Sequence, residues 1–127
     1  MDSFARRVFR GAGIYGLVVL TPQYFLADRV GRDAPPPLTH PEFYYGFLGV
    51  ALAWQVAFLV IGRDPRRHRA FMPAAIMEKL AFGVPAIALF VMGRLSAVVL
   101  GFGLLDLVFA ALFLAAYRST HAMSEAV

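Results

Sequence analysis

Two carboxyl groups interrupt the apolar part of this sequence. Asp106 stands near the middle of 96–117, a run otherwise free of charge, and Glu78 precedes the apolar stretch 80–93. A charged side chain at the centre of a bilayer costs roughly 2.5–3.5 kcal/mol on insertion scales, so such groups are usually paired or functional. Two roles are open at this point: a ligand-binding or proton site, or hydrogen bonds that hold helices in register.

Depth along the helices predicts which polar residues accompany the carboxyl groups. At a rise of about 1.5 Å per residue, Tyr15, Gln55 and Glu78 lie roughly 8–10 Å from the same membrane face. Thr21 matches Asp106 in depth, near the midplane. The predicted ligand-binding or proton site therefore consists of Tyr15, Thr21, Trp54, Gln55, Glu78 and Asp106.

The neighbours of the two carboxyl groups predict how they are oriented. Gly103 and Ala110 share a helix face with Asp106, and small residues allow another helix to approach, so Asp106 should face the helices and not lipid. Lys79 follows Glu78 directly, which points the two side chains about 100° apart on a helix. We expect Lys79 to extend outward to the membrane surface and not to neutralise Glu78 face to face.

The composition indicates that the helices carrying these residues lie in a membrane. Of the 127 residues 60% are hydrophobic, and the mean hydropathy is +0.67, well above a soluble domain. The predicted fold is all-α: an integral membrane four-helix bundle with antiparallel, up-down topology. Residues 1–127 form a single transmembrane domain, with spans at approximately 8–26, 43–62, 73–93 and 96–117.

The basic residues predict the orientation of the bundle. The formal net charge is +4, and the arginines cluster at the ends of the apolar runs, which is typical of topology signals and not of nucleic-acid binding. Both termini are predicted to be cytoplasmic. A signal peptide over the first run is the alternative, but no small-x-small cleavage site follows that run.

The connections between spans carry their own predictions. Residues 28–41, with Pro35, Pro36 and Pro37, are expected to form an extended external loop. Pro85 is expected to kink the third span. A cytoplasmic turn over 63–69 should contact anionic lipid headgroups through its four arginines: Arg63, Arg66, Arg67 and Arg69.

Other motifs have simpler structural explanations. Gly11, Gly13 and Gly16 match G-x-G-x-x-G but lack the strand and βαβ unit of a dinucleotide site, so they are interpreted as helix-contact residues. The same interpretation applies to 49, 53 and 57, a small-residue series in the second span. The three histidines lie outside the spans, so no metal site is predicted, and no cofactor is expected.

Three stretches carry a family resemblance: YYGFLGVALAWQVAFLVIGRDPRRHRAFM, MEKLAFG and GFGLLDLVFAALFLAAY. They resemble small, uncharacterised bacterial inner-membrane proteins with four helices, over the part of the chain from Tyr44 to Tyr117. The resemblance implies the fold and a multi-pass inner-membrane location, but no activity. Size and helix count give a looser similarity in architecture to DoxX-like proteins.

The favoured function is binding, with membrane lipids around the bundle. The bundle is expected to take a small apolar or amphipathic ligand, or a partner membrane subunit, and homo-oligomers fit the same expectation. One alternative is a membrane enzyme that acts on a lipid-like substrate through a buried carboxyl group. Proton-coupled transport is the other alternative, and four helices would then need to oligomerise to form a path.

Overall fold

The computed structural model describes residues 2–33 and 39–125, and no strand occurs in these two ranges. It contains five α-helices and two short 3-10 segments, Thr21–Phe25 and Arg69–Phe71. The α-helices are α1 (Asp2–Leu20), α2 (Ala27–Asp33), α3 (Pro41–Arg63), α4 (Met72–Val91) and α5 (Ala97–Glu125). The all-helical prediction is therefore confirmed for the described part of the chain.

Three helical segments are long and apolar enough to cross a membrane. They are Pro41–Arg63, Arg69–Val91 and Ala97–Thr120, and they coincide closely with the spans predicted at 43–62, 73–93 and 96–117. A soluble fold would not require three such segments in so short a chain. The chain thus has the composition and helix lengths of a membrane protein.

The first helix differs from its predicted range of 8–26. It begins at Asp2 and ends at Leu20, and the chain then tightens into a 3-10 segment that contains Pro22. Pro22 has no backbone N–H to continue the α-helical bonds, which explains the earlier end. At the other end, arginines are good helix formers and remain exposed, so the helix extends through Arg6 and Arg7.

The prediction of an extended loop over 28–41 is wrong in its first part. Residues Ala27–Asp33 form α2, with Asp28 in the first turn and Arg32 in the last. These charges sit where the helix dipole favours them. The three consecutive prolines at 35–37 lie outside the described residues.

The helices pack as two close pairs. Contacts are most extensive between α4 and α5 and between α1 and α3, while α1 and α5 join the pairs. Residues of α4 meet residues of α5 in reverse order, as in the contacts of Gly83 with Gly103 and of Lys79 with Asp106. These two helices are therefore antiparallel, and α3 and α4 touch at few points.

Glycines explain how closely the paired helices approach. A Cβ at Gly13 would lie 2.8 Å from the Gln55 carbonyl oxygen on α3, and one at Gly16 would overlap the Gln55 amide. In the second pair, a Cβ at Gly103 would lie 2.6 Å from the Ala86 Cβ. In the small-residue series of α3, Ala53 is exposed, whereas a Cβ at Gly49 would lie 3.2 Å from the Tyr24 hydroxyl.

Aromatic rings fill the centre where α1, α3 and α5 meet. Phe9 stacks on Phe113 with ring centroids 4.3 Å apart, and Phe58 meets Phe113 edge-on at 5.0 Å. All three side chains are completely buried. On the periphery, α4 continues through Pro85 as an α-helix.

Candidate ligand-binding cavity

A lysine between two carboxyl groups is the main polar feature of the interior. Lys79 Nζ donates to Asp106 Oδ1 at 3.3 Å and lies 3.8 Å from Glu78 Oε2. The Lys79 side chain is only 4% exposed, and its ammonium lies 5.2 Å and 5.4 Å from the ring centroids of Phe58 and Phe109. These rings add cation–π stabilisation to an ion pair that is removed from water.

The outward orientation predicted for Lys79 is therefore wrong. Its flexible stem turns inward because Asp106, one helix away, supplies a charge that compensates its burial. The prediction that Lys79 does not neutralise Glu78 is also wrong. Although the two residues are adjacent, the length of the lysine stem brings Nζ within ion-pair distance of Glu78.

Gln55 supplies the most deeply buried amide in the same region. Its Nε2 donates to the Ala51 carbonyl at 2.7 Å, while its Oε1 accepts no hydrogen bond from the described residues. Glu78 Oε2 likewise has no hydrogen-bond donor among them. An unpaired buried acceptor costs about 1–3 kcal/mol. The Gln55 oxygen therefore requires an explanation, whereas Glu78 Oε2 has Lys79 Nζ 3.8 Å away.

A cavity of about 370 Å³ connects these polar groups. It lies between α1, α3, α4 and α5, with Tyr15, Gln55, Glu78, Lys79 and Asp106 among its lining residues. The Tyr15 ring packs on Phe109 with centroids 5.5 Å apart, which holds the tyrosine at the cavity wall. The volume falls within the range of small-molecule sites, which is roughly 300–1,000 Å³.

The remainder of the cavity lining is largely apolar. Gln23 adds a further amide, and its side chain donates to the Val19 carbonyl at 3.1 Å. The other lining residues are Gly16, Val19, Leu20, Phe47, Ala51, Phe82, Val99 and Phe102. An apolar wall with a few convergent polar groups is the usual chemistry of a small-molecule site.

A second, larger concavity runs between α3 and α4. We call it the lateral groove; its volume is about 790 Å³, and it exists because these two helices touch at few points. Its lining residues are Gly46, Phe47, Val50, Ala51, Trp54, Ala74, Met77, Glu78, Ala81 and Phe82. Phe47, Ala51, Glu78 and Phe82 also line the cavity, so the two spaces share a wall.

Four of the predicted site residues meet at the cavity, and two do not. Tyr15, Gln55, Glu78 and Asp106 line it together. Thr21 is exposed in the 3-10 segment after α1. The depth count that paired Thr21 with Asp106 assumed an uninterrupted helix, which ends at Leu20.

Trp54 lies on the opposite side of the shared wall. It is half-buried and lines the lateral groove, and its ring packs on Phe58 with centroids 6.2 Å apart. The 3.6-residue period of a helix separates it from Gln55 by about 100°, which directs neighbouring residues to different spaces.

The four arginines predicted to contact headgroups have different environments. Arg63, Arg66 and Arg67 are exposed, as headgroup contact would require. Arg69 is half-buried: its Nε and Nη2 donate to the Tyr117 carbonyl at 3.1 and 3.0 Å, and its guanidinium lies 3.7 Å from the Tyr117 ring centroid. Arg69 therefore attaches the α3–α4 turn to α5. Contact of the four arginines with lipid headgroups stays a prediction.

Several cavity residues were not identified from the sequence. Lys79 was recognised as intramembrane but assigned to the surface, although its four-residue register with Ala75 and Gly83, both buried, marked an inward face. Phe47 and Phe82 carried no distinguishing signal among the 12 phenylalanines. In the described ranges, no group of three or more histidine or acidic residues has the geometry for a metal ion.

Comparisons with known proteins give no relative from which a role could be transferred: no protein-family model, curated protein or solved structure matches this chain significantly. The resemblance to small inner-membrane proteins therefore stays a prediction. Any functional inference depends on the cavity and the groove.

Proposed function

We propose that this protein binds a small amphipathic molecule in the cavity, within a four-span bundle of the bacterial inner membrane. In this arrangement α1 is the fourth span, beside α3, α4 and α5, and both ends of the chain are cytoplasmic. Support for α1 comes from its packing on α3, where Gly62 lies against Arg10 and Gly13 against Gln55, which makes the two helices antiparallel. The stacking of Phe9 on Phe113 supports it as well. Support for the orientation comes from the exposed arginines at 6, 7, 10, 63, 66, 67 and 118, all at one end of the bundle.

The observation that carries the proposal is the unpaired Gln55 Oε1. The side chain is buried and lines a cavity of about 370 Å³, yet this oxygen accepts no hydrogen bond from the described residues. Helix packing alone would favour an apolar residue there, because an unpaired acceptor destabilises the fold. A bound molecule with a donor group would satisfy it.

The ion cluster supports binding by a second route. Lys79 between Glu78 and Asp106 fixes three charged groups on one side of the cavity, where the bilayer excludes most water. Such groups orient a polar ligand strongly because the surrounding dielectric is low. The apolar remainder of the lining suits the hydrocarbon part of an amphiphile.

Native mass spectrometry of the protein, purified in mild detergent, tests the proposal. The wild type is expected to retain a small-molecule adduct, and Gln55→Leu is expected to lose it. Thr120→Val is the matched control, since Thr120 is also a buried polar residue but its hydroxyl donates to Ala116 far from the cavity. A wild type without adduct, or equal adducts in the wild type and Gln55→Leu, would contradict the proposal.

A further inference from the structure

We propose that the ligand is a single-chain amphiphile whose head donates hydrogen bonds and carries no negative charge, and whose chain lies in the lateral groove. The inference rests on the proposed function and adds the ligand class and its position. The head would lie where the groove and the cavity meet, at Glu78 and Gln55. The groove would admit the molecule sideways from the bilayer, past Phe47 and Phe82.

The head chemistry follows from two buried acceptors. Gln55 Oε1 and Glu78 Oε2 accept no hydrogen bond from the described residues, although Lys79 Nζ lies 3.8 Å from the Glu78 oxygen. Glu78 lines both spaces, so a head that passes from the groove to the cavity moves along this residue. Two carboxyl groups stand against one ammonium in this cluster. A hydroxyl or an amine fits these acceptors, whereas a carboxylate or phosphate head would be repelled.

The chain position follows from the chemistry and depth of the groove. Apart from Glu78 its lining is apolar, and its outer residues Val50 and Met77 are 63% and 69% exposed. From Gly46 to Trp54 it extends about 12 Å along α3, inside a hydrocarbon core of roughly 30 Å. A groove that opens at this depth meets lipid and not water, so its occupant must be dissolved in the bilayer.

One chain is favoured over two because, among the described residues, the other extensively packed helix pairs are closed. Glycine contacts close the α1–α3 and α4–α5 pairs, and stacked phenylalanines close α1 against α5. The Phe47 and Phe82 rings, with centroids 6.3 Å apart, line both the groove and the cavity. These two rings therefore stand at the junction through which the molecule would pass from the groove to the cavity.

Trp54 provides a direct probe, because it is the single tryptophan of the chain and lines the groove. Hexadecanol with a mid-chain nitroxide is titrated into phosphatidylcholine nanodiscs that contain the protein. We expect a saturable component of Trp54 fluorescence quenching above the linear background from the bilayer. Unlabelled hexadecanol and hexadecylamine should abolish that component, and hexadecyl phosphate should not.

Two substitutions on α4 distinguish the groove from the general lipid surface. Ala81→Phe fills the groove, whereas Val84→Phe adds the same ring at an exposed position outside it. Ala81→Phe is expected to lower the affinity seen in the saturable quenching about tenfold or more, because placing a chain beside the added ring would overpack the groove. Val84→Phe should have the wild-type affinity. Ala74→Phe blocks another part of the groove if Ala81→Phe does not fold.

The possible results separate this inference from the proposed function. Quenching without a saturable component, or equal saturation in all the folded variants, overturns the position of the chain. Competition by hexadecyl phosphate as strong as by hexadecanol overturns the head chemistry. If either occurs while the mass-spectrometric adduct still depends on Gln55, the cavity remains a binding site and only the ligand class or its position is wrong. A second copy of the protein could cover the groove instead. Dimers would then show no saturable quenching, and that result would also overturn the inference.

Discussion

At the residue scale, the interior polarity depends on one cation shared by two acids. Lys79 lies within 4 Å of both Glu78 and Asp106, and phenylalanine rings shield the ammonium. Each charge is tolerated because the others are present, so the three side chains should behave as one energetic unit. Removing one member of such a group should therefore cost more stability, per substitution, than removing two oppositely charged members together.

This coupling predicts a non-additive mutant cycle. Lys79→Met should lower the free energy of unfolding by about 3 kcal/mol, because it leaves two carboxyl groups buried without a cation. Lys79→Met combined with Asp106→Asn should cost less than the sum of the single substitutions. Unfolding in mixed micelles, followed by circular dichroism, measures the cycle. Arg118→Met, at an exposed position, is the control and should change stability by less than about 0.5 kcal/mol. Additive costs would mean that the three groups act independently.

Gln55 gives the opposite prediction for stability. Replacing it with leucine removes an unpaired buried oxygen, so the ligand-free Gln55→Leu protein should be as stable as the wild type or more stable, by up to about 1 kcal/mol. The same micelle unfolding applies, after delipidation. This expectation follows because functional sites often sacrifice stability. A loss of more than about 2 kcal/mol would show instead that the amide is needed for packing.

At the element scale, the sequence predicts where the helices lie along the chain better than it predicts which helices touch. Apolar run length was sufficient to predict α3, α4 and α5, since spanning a bilayer fixes a minimum helix length. It misplaced α1, because the exposed arginines near its start and Pro22 near its end act through local backbone chemistry. The inward face of Asp106 followed from small residues three and four positions away. For Lys79, the register with Ala75 and Gly83 marks an inward helix face, but the partner of its long side chain is decided only in the assembled fold.

Helix contact predicts contrasting effects at two glycines of α1. Gly13→Ala should destabilise the protein by roughly 1–3 kcal/mol, since the added Cβ would lie 2.8 Å from the Gln55 backbone carbonyl oxygen and would force the helices apart. Gly11→Ala should be neutral or stabilising by up to about 1 kcal/mol, because no atom lies within 4 Å of that Cβ. Thermal unfolding of both variants tests this, and equal midpoints would refute the close packing of α1 on α3.

The second pair of helices allows the same comparison independently. Gly103→Ala should be destabilising, because its Cβ would lie 2.6 Å from that of Ala86. Gly101→Ala should not be destabilising, because this glycine lies two residues earlier on the same helix and no atom lies within 4 Å of its Cβ position. Disulfide crosslinking between single cysteines placed on α4 and α5 would report whether the pair separates. Unchanged crosslinking and stability in Gly103→Ala would contradict the contact.

At the scale of the whole molecule, the uneven packing of the helices creates both spaces. Close α1–α3 and α4–α5 pairs leave α3 and α4 apart, which opens the lateral groove and exposes one wall of the cavity. The sequence predicted helices around a polar centre, but not this opening. Which helix pairs separate depends on side-chain fit across the whole bundle, and periodicity along one helix does not encode that fit.

The proposed orientation has a simple test in cells. A reporter that works only in the cytoplasm should be active when fused after Val127. A reporter that works only outside should be active when inserted between Gly93 and Arg94, because seven of the ten exposed arginines lie at the opposite end of the bundle. Alkaline phosphatase and green fluorescent protein fusions read the two sides. Phosphatase activity after Val127 would refute the orientation, while leaving the cavity unaffected.

Ligand-induced stabilisation tests the central claim, binding of an amphiphile at Gln55, most directly. Thermal unfolding is measured in phosphatidylcholine nanodiscs titrated with hexadecanol. The wild type and Thr120→Val should gain stability saturably, by about 2.7 kcal/mol at a hundredfold excess over Kd, and Gln55→Leu should gain none. An unchanged wild-type midpoint, or an equal rise in Gln55→Leu, would contradict the claim.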